Sequence, residues 1–118
     1  MLFRSSCEMN EPNKAVDYIL KHSADYAKAK SQRVFLEEFR KSKKALLMKD
    51  ALAQGIEAAN AQEREAYAHP EYQELLKGLA AAIEIEESLK WNLEAARMRC
   101  DIWRTEQANN RMTEKVTT

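Results

Sequence analysis

The most regular pattern in the chain lies in PEYQELLKGLAAAIEIEESLKWNLEAARMRCDIWRTEQ, residues 70–107. After its first residue it contains no proline, and apolar side chains recur at steps that alternate between four and three residues. This spacing is the heptad pattern of a helix that packs along one stripe. It predicts a long helix with a stripe formed by Leu75, Leu79, Ala82, Glu86, Leu89, Leu93, Ala96, Cys100 and Trp103. Glu86 is the one charged member of this stripe.

The N-terminal half predicts another long helix, over about residues 12–54. Pro12 suits the first turn of a helix, and neither glycine nor proline follows until Gly55, which suits the position just past a helix C-terminus. Apolar and small residues recur here at nearly the spacing of a straight α-helix. The predicted stripe consists of Val16, Leu20, Ala24, Ala27, Ser31, Phe35, Phe39, Ser42 and Leu46.

The connection between these helices predicts a short helix from Asn60 to Ala68, with Asn60 and Glu63 as a capping pair. It should end at His69-Pro70, because the residue before a proline is pushed away from helical geometry. With two glycines and two prolines in 118 residues, the chain is typical of an all-α protein.

The domain boundaries follow from these predictions. We expect a helical-hairpin domain over residues 11–109 and flexible tails over residues 1–10 and 110–118. Met9 stands just before the first helix and is a second candidate for the initiator.

The two long helices should pack antiparallel, because a short connection joins them. Residues 28–49 hold eight Lys or Arg and two Glu, whereas residues 57–94 hold nine Glu and three Lys or Arg. With the turn centred near residue 62, we expect opposite charges to meet and to help select the register. The expected neighbours are Arg40, Lys41, Lys43 and Lys44 on one helix and Glu84, Glu86 and Glu87 on the other.

A second apolar stripe on the helix over residues 70–107 lies roughly opposite the first. Its members are Trp91, Ala95, Met98 and Ile102. A helix that is apolar on two faces needs two neighbours. The stripe therefore predicts a homodimer, most simply a four-helix bundle in which it meets its two-fold mate. The competing explanation is that the short helix folds over the stripe.

No pattern in the sequence indicates catalysis, a metal site or a cofactor. His22 and His69 lie on different predicted elements, and neither completes the E-x-x-H pattern of a di-iron bundle. Cys100 lies on the packing stripe, where a free cysteine acts as a small core residue, and no histidine is in reach to activate it. Only Gly55 and Gly78 are glycines, so there is no phosphate-binding loop. We expect a non-enzymatic protein in which Gly78 marks the close approach of another backbone.

The cysteines and the hydropathy pattern indicate the compartment. Cys7 and Cys100 are too few and too distant to form a disulfide framework. No apolar run approaches the roughly 20 residues that span a bilayer, and the N-terminal MLFRSSCEM lacks the apolar core of a secretory signal. These features predict a cytoplasmic protein that does not enter a membrane.

Nucleic-acid binding stays open as a second kind of function. The formal net charge of zero argues mildly against a protein whose main task is to grip duplex DNA. A local basic groove is still compatible with the expected register, which brings together Lys28, Lys30, Arg33, Arg97 and Arg99, with Tyr26, Trp91 and Trp103 nearby. Basic grooves with aromatic platforms hold single strands. The plainer interpretation is that the lysines are solvated and the tryptophans are packed.

Three segments carry a resemblance to known proteins: AKAKSQRVFLEEFRKSKKALLMK at 27–49, AQEREAYAHPEYQELLKGLAAAIEIEESLKWNLEAARMR at 61–99, and DIWRTEQANNR at 101–111. They resemble a family of small early-region proteins of temperate bacteriophages and prophages of Gram-negative bacteria. The likeness covers about residues 15–111, and AQEREAYAHPEY at 61–72 is its most distinctive part. The resemblance implies a gene that lies among recombination and single-strand DNA functions in a bacterial host. It brings no catalytic or binding residues with it.

The leading hypothesis is a non-enzymatic phage accessory protein in DNA recombination or replication, which acts by protein–protein contacts and by weak binding of single-stranded nucleic acid. The alternative is a helical adaptor or inhibitor of a host protein with no nucleic-acid contact. A third hypothesis is an enzyme whose site forms across a dimer interface. Basic residues that converge on one open face would favour the first hypothesis, and basic residues paired with internal glutamates would favour the second.

Overall fold

Three helices account for nearly all of the structure, a computed structural model that describes residues 12–117. Helix α1 spans Pro12–Ala53, α2 spans Ala59–Ala68, and α3 spans Pro70–Thr117. Two long helices joined by a short one confirm the predicted all-α architecture. The predicted tail at residues 1–10 lies outside the described residues.

Helix α3 continues to Thr117 instead of ending near Gln107. Residues 108–117 contain neither glycine nor proline, so nothing in them interrupts the backbone hydrogen bonds of the helix. The stretch predicted as a C-terminal tail is therefore helical as far as it is described.

Helix α1 ends in a Schellman motif at Gly55, as its sequence position predicts. Gly55 has a φ of +100°, which a residue without a Cβ adopts at little cost. Its N–H donates to the carbonyl of Leu52 at 3.0 Å, and the N–H of Ile56 donates to the carbonyl of Ala51 at 3.0 Å. These two bonds satisfy the last carbonyls of α1 and turn the chain toward α2.

The predicted capping box of α2 is wrong. The helix begins at Ala59, so Asn60 lies inside it, and the N-cap residue Ala58 makes no side-chain cap. The Gln62 side chain stabilises the turn before α2, because its amide donates to the carbonyl of Ile56 at 2.9 Å. Glu63, the expected partner of Asn60, instead accepts a hydrogen bond from Lys44.

His69 separates α2 from α3, as predicted from the proline that follows it. Its backbone is extended, with a φ of −67° and a ψ of 135°. Its Nδ1 accepts the N–H of Glu71 at 3.0 Å and so caps the first turn of α3. Gln73 donates to the carbonyl of Tyr67 at 2.7 Å and satisfies the end of α2.

Contacts along the chain group into two units, which we call the central unit (residues 28–86) and the terminal unit (residues 12–27 with 87–117). In the central unit, α2 is held by a small core of Leu47, Ala66 and Tyr72, against which Met48 and Leu76 pack. In the terminal unit, Ala15 and Ala96 are fully buried. Small side chains at such positions let helix backbones approach closely.

The packing stripe of α3 is confirmed from Leu75 to Cys100, since each member is buried or half-buried, while Trp103 is exposed. The stripe predicted for α1 is wrong, because all of its members are exposed. A heptad series of buried and half-buried positions runs along α1 instead: Ala15, Ile19, His22, Tyr26, Ala29, Arg33, Leu36, Arg40, Lys43 and Leu47. It begins one residue before the predicted stripe and, because its mean step is shorter, lies one residue after it from Leu36 onward. Four of these residues, His22, Arg33, Arg40 and Lys43, are basic, so the pattern of apolar residues alone does not reveal this face.

Candidate interaction surfaces

A charged cluster lies in the packing interface of the central unit, where the heptad stripes of α1 and α3 meet. Arg33 binds Glu86 through two hydrogen bonds, one from Nε and one from Nη2 at 3.1 Å. Its Nη1 also donates to Glu37 at 2.9 Å. The Glu86 side chain is only 8% exposed and that of Arg33 only 23%. Hydrogen bonds with Glu86, and then with Glu37, raise the pKa of Arg33 above its ordinary value, so the guanidinium stays charged.

Two more ion pairs attach the basic part of α1 to the acidic residues around α2. Lys43 lies 2.6 Å from Glu71, and Lys44 lies 2.8 Å from Glu63. The Lys44 ammonium is also 4.8 Å from the centre of the Tyr67 ring. The hydrogen bond from each lysine lowers the pKa of its glutamate.

These ion pairs confirm an antiparallel arrangement in the central unit but correct the predicted register. Arg33 pairs with Glu86, and Lys43, ten residues later, pairs with Glu71. The expected meeting of Lys43 and Lys44 with Glu84, Glu86 and Glu87 is therefore wrong. The predicted turn centre lies near residue 62, whereas the midpoints of these two pairs lie about three to five residues earlier in the chain.

The five basic residues predicted to bind nucleic acid differ in their surroundings. Lys28 and Lys30 are exposed on α1, and within residues 12–117 neither forms an ion pair. Arg33 is held by Glu86 and Glu37, as described above. Arg97 is exposed and pairs with Glu94 at 2.9 Å, a hydrogen bond that raises the pKa of Arg97. Arg99 is exposed and, among the described residues, unpaired. Lys28, Lys30 and Arg33 belong to the central unit, and Arg97 and Arg99 belong to the terminal unit.

The predicted dimer stripe on α3 lies open to solvent. Trp91 is 61% exposed, Met98 and Ile102 are about half exposed, and Ala95 is exposed. The Lys90 ammonium lies 5.8 Å from the centre of the Trp91 ring. Helix α2 packs instead on Leu47 and Tyr72 in the central unit, so it does not cover this stripe. The competing explanation for the stripe is therefore wrong, and its use as an interface stays a prediction.

A second uncovered apolar surface lies on the central unit, and we call it the Phe face. It comprises Phe35, Phe39 and Leu46 on α1 and Ile85 on α3, which are exposed by 63%, 36%, 52% and 55%. The rings of Phe35 and Phe39 stack with centroids 5.7 Å apart. Between the helices runs an open groove of about 560 Å³, lined by Ser31, Gln32, Phe35, Leu36, Gly78, Ala81, Ala82 and Ile85. The sequence predicts both phenylalanines in the packing stripe of α1, and their exposure shows that this prediction is wrong.

Gly78 forms part of the floor of this groove. It was predicted to mark the close approach of another backbone, but a Cβ placed on Gly78 meets no atom within 4 Å in the described structure. That prediction is wrong for the single chain. Gly78 instead leaves an open depression on the surface of α3.

Within residues 12–117 no three His, Cys, Asp or Glu side chains are grouped as metal ligands. Over the same residues, none of the helices has the length and the apolar character that crossing a bilayer requires.

No family model, curated protein or solved structure matched this chain when each was compared with it. The resemblance to small proteins of temperate phages therefore stays a prediction, and the function has to be argued from the surfaces described above.

Proposed function

We propose that this protein is a non-enzymatic accessory protein that acts by binding another protein through the stripe of Trp91, Ala95, Met98 and Ile102. The observation that carries the proposal is the exposure of this stripe on α3, with Trp91 61% exposed. Exposed aromatic and methionine side chains that form a continuous patch are enriched at protein interfaces. A helix that presents such a stripe binds a groove or another helix through residues spaced by three and four.

The charges support protein contact over nucleic-acid contact. A residue that binds phosphate has to give up its present partner, and Arg33 and Arg97 are already paired with carboxylates. Lys43 and Lys44 are paired in the same way. The proposed setting is phage DNA recombination or replication in the cytoplasm of a bacterial host, and it comes from the sequence resemblance alone.

Site-specific photo-crosslinking tests the proposal. A photoreactive phenylalanine analogue replaces Met98 in the full chain, and the chain is expressed in a bacterial host that carries the phage. The matched control places the same analogue at Arg104, whose side chain is 77% exposed but lies off the stripe. We expect a discrete crosslinked product with a protein of DNA metabolism from position 98 and none from position 104. Equal crosslinking from both positions would show that the stripe is not an interface.

Binding of single-stranded nucleic acid is the second candidate, and the exposure of Lys28, Lys30 and Arg99 favours it. Phosphate contacts by lysine release counterions, so binding of this kind weakens steeply as the salt concentration rises. The double substitution K28Q/K30Q should then reduce the salt slope by about 1.4, since each phosphate contact on a single strand contributes about 0.7. Lys77 is a suitable control, because it is exposed and already paired with Glu74.

A further inference from the structure

The Phe face presents protrusions and a depression side by side. Phe35 and Phe39 protrude from α1, and Ile85 protrudes from α3. Next to them, the floor of the groove is built from small residues, among which Gly78 leaves open space where a side chain would stand. A surface that pairs with itself about a two-fold axis has to carry both a protrusion and its matching depression. The Phe face meets this requirement on one unit of one chain.

We propose that a second copy of this chain covers the Phe face, with α1 of each copy lying over α3 of the other. In this arrangement Phe35 of one copy fills the groove above Gly78 and Ala81 of its mate, and the reverse contact follows by symmetry. Large side chains then meet small ones in both halves of the interface, which is how a close-packed layer is filled. The dimer differs from the one predicted through Trp91, because it leaves that stripe free for another protein.

The charges of the central unit favour the same arrangement. Residues 28–53 of α1 carry eight Lys or Arg and three Asp or Glu, whereas residues 70–86 of α3 carry four Glu and one Lys. Arg33, Lys43 and Lys44 already pair with glutamates of their own chain, so the charge that bears on the choice of partner helix is the remaining excess of Lys and Arg on α1. Placing α1 over α1 of the second copy would set like charges against each other, which is costly at an interface. Side-chain size thus selects the pairing of α1 with α3, and the excess positive charge of α1 disfavours the pairing of α1 with α1.

The area of the Phe face is adequate for a dimer of this kind. At roughly 150–250 Å² for a whole aromatic side chain, the exposed parts of Phe35, Phe39, Leu46 and Ile85 amount to about 400 Å² per copy. A standard interface buries about 800 Å² per partner, of which somewhat more than half is apolar. The four large side chains therefore supply most of the apolar share, and the groove floor and the charged rim supply the rest.

Trp91 offers a matched control for the test, because it is 61% exposed and Phe35 is 63% exposed. The molar mass of the full-length protein is measured by light scattering and by sedimentation equilibrium. Three variants accompany the wild type: F35E, A81F, which fills the groove, and W91E. Circular dichroism of each variant establishes that it remains helical. The measurement needs no partner, so its outcome is independent of the proposed function.

We expect the wild type and W91E to have twice the chain mass of 13.6 kDa. F35E and A81F should associate more than about 30-fold more weakly, the loss expected for a central anchor of an interface. A wild type that stays at 13.6 kDa would overturn the proposal. So would a dimer that survives F35E and A81F, or one that W91E abolishes while both of those variants remain paired.

Discussion

At the scale of single residues, the pairing of Arg33 with Glu86 explains why a carboxylate stands in the packing stripe of α3. A carboxylate that is 8% exposed is costly unless a cation satisfies it, and the fork of a guanidinium does so with two parallel hydrogen bonds. The sequence showed Glu86 as an interruption of the stripe. The heptad spacing of Tyr26, Arg33 and Arg40 on α1 indicates that Arg33 is its partner, once charged residues are counted as possible members of a packing stripe.

A double-mutant cycle tests this pairing. R33M and E86L should each lower the free energy of unfolding by about 1–3 kcal/mol, because each leaves the other side chain without its main charged partner in a nearly buried site. The double variant R33M/E86L should regain most of that loss, since two apolar side chains can replace a buried ion pair at little cost. Urea denaturation of the single and double variants measures the coupling. Losses that simply add would mean that the two residues stabilise the protein independently.

The glutamates that bind Lys43 and Lys44 predict a dependence of stability on pH. Hydrogen bonds from the lysines lower the pKa of Glu63 and Glu71 below the ordinary value of 4.5. A carboxylate whose pKa is lower in the folded than in the unfolded state contributes stability above pH 4.5. That contribution is lost as the pH falls through the folded value. We expect thermal stability to fall with acidification below about pH 4.5.

The variant E63Q/E71Q provides the control for this prediction. Its thermal stability should change less between pH 6 and pH 3 than that of the wild type, because two of the carboxylates that titrate in this range are absent. An identical pH profile for the two proteins would show that these ion pairs do not contribute to folding.

At the scale of the helices, the packing face could be predicted where the stripe is apolar but not where it contains charged residues. The stripe of α3 is apolar except for Glu86, so its heptad spacing gave the correct face. The buried stripe of α1 contains His22, Arg33, Arg40 and Lys43, so the apolar residues alone indicate a neighbouring face, on which Phe35 lies one residue before the half-buried Leu36. One residue on an α-helix is a rotation of about 100°. Phe35 therefore lies on the solvent side, in the Phe face, and not in the predicted core.

The two glycines should respond in opposite ways to replacement by alanine. G78A should raise the free energy of unfolding by about 0.5–1 kcal/mol, because Gly78 lies inside a helix with open space at its Cβ position. G55A should lower it by about 1 kcal/mol, since Gly55 adopts a φ of +100° at the end of α1. Thermal unfolding of both variants in an F35E background isolates these effects from self-association. A loss of stability for G78A would mean that another group does pack against that position.

At the scale of the whole molecule, the helical architecture and its turns followed from the sequence, whereas the surfaces did not. Gly55 and His69-Pro70 fix the turns through backbone geometry, which is local and can be read from a few residues. The surfaces depend on which long side chains pair across the helices, and such pairing is not local. Several charges of the central unit, including Arg33 and Lys43, are paired within the chain, and large apolar side chains are exposed in both units.

Under the proposed function, this protein acts by contact with another protein and not by contact with nucleic acid. The most direct test is a fluorescence-anisotropy titration of the wild type against labelled single-stranded and duplex oligonucleotides at low and at high salt. We expect no change in anisotropy up to about 100 μM protein at low salt, a concentration at which non-specific nucleic-acid binding is seen even at physiological salt. Saturable binding that weakens steeply with salt and is lost in K28Q/K30Q would contradict the claim and establish a phosphate-binding surface at Lys28 and Lys30.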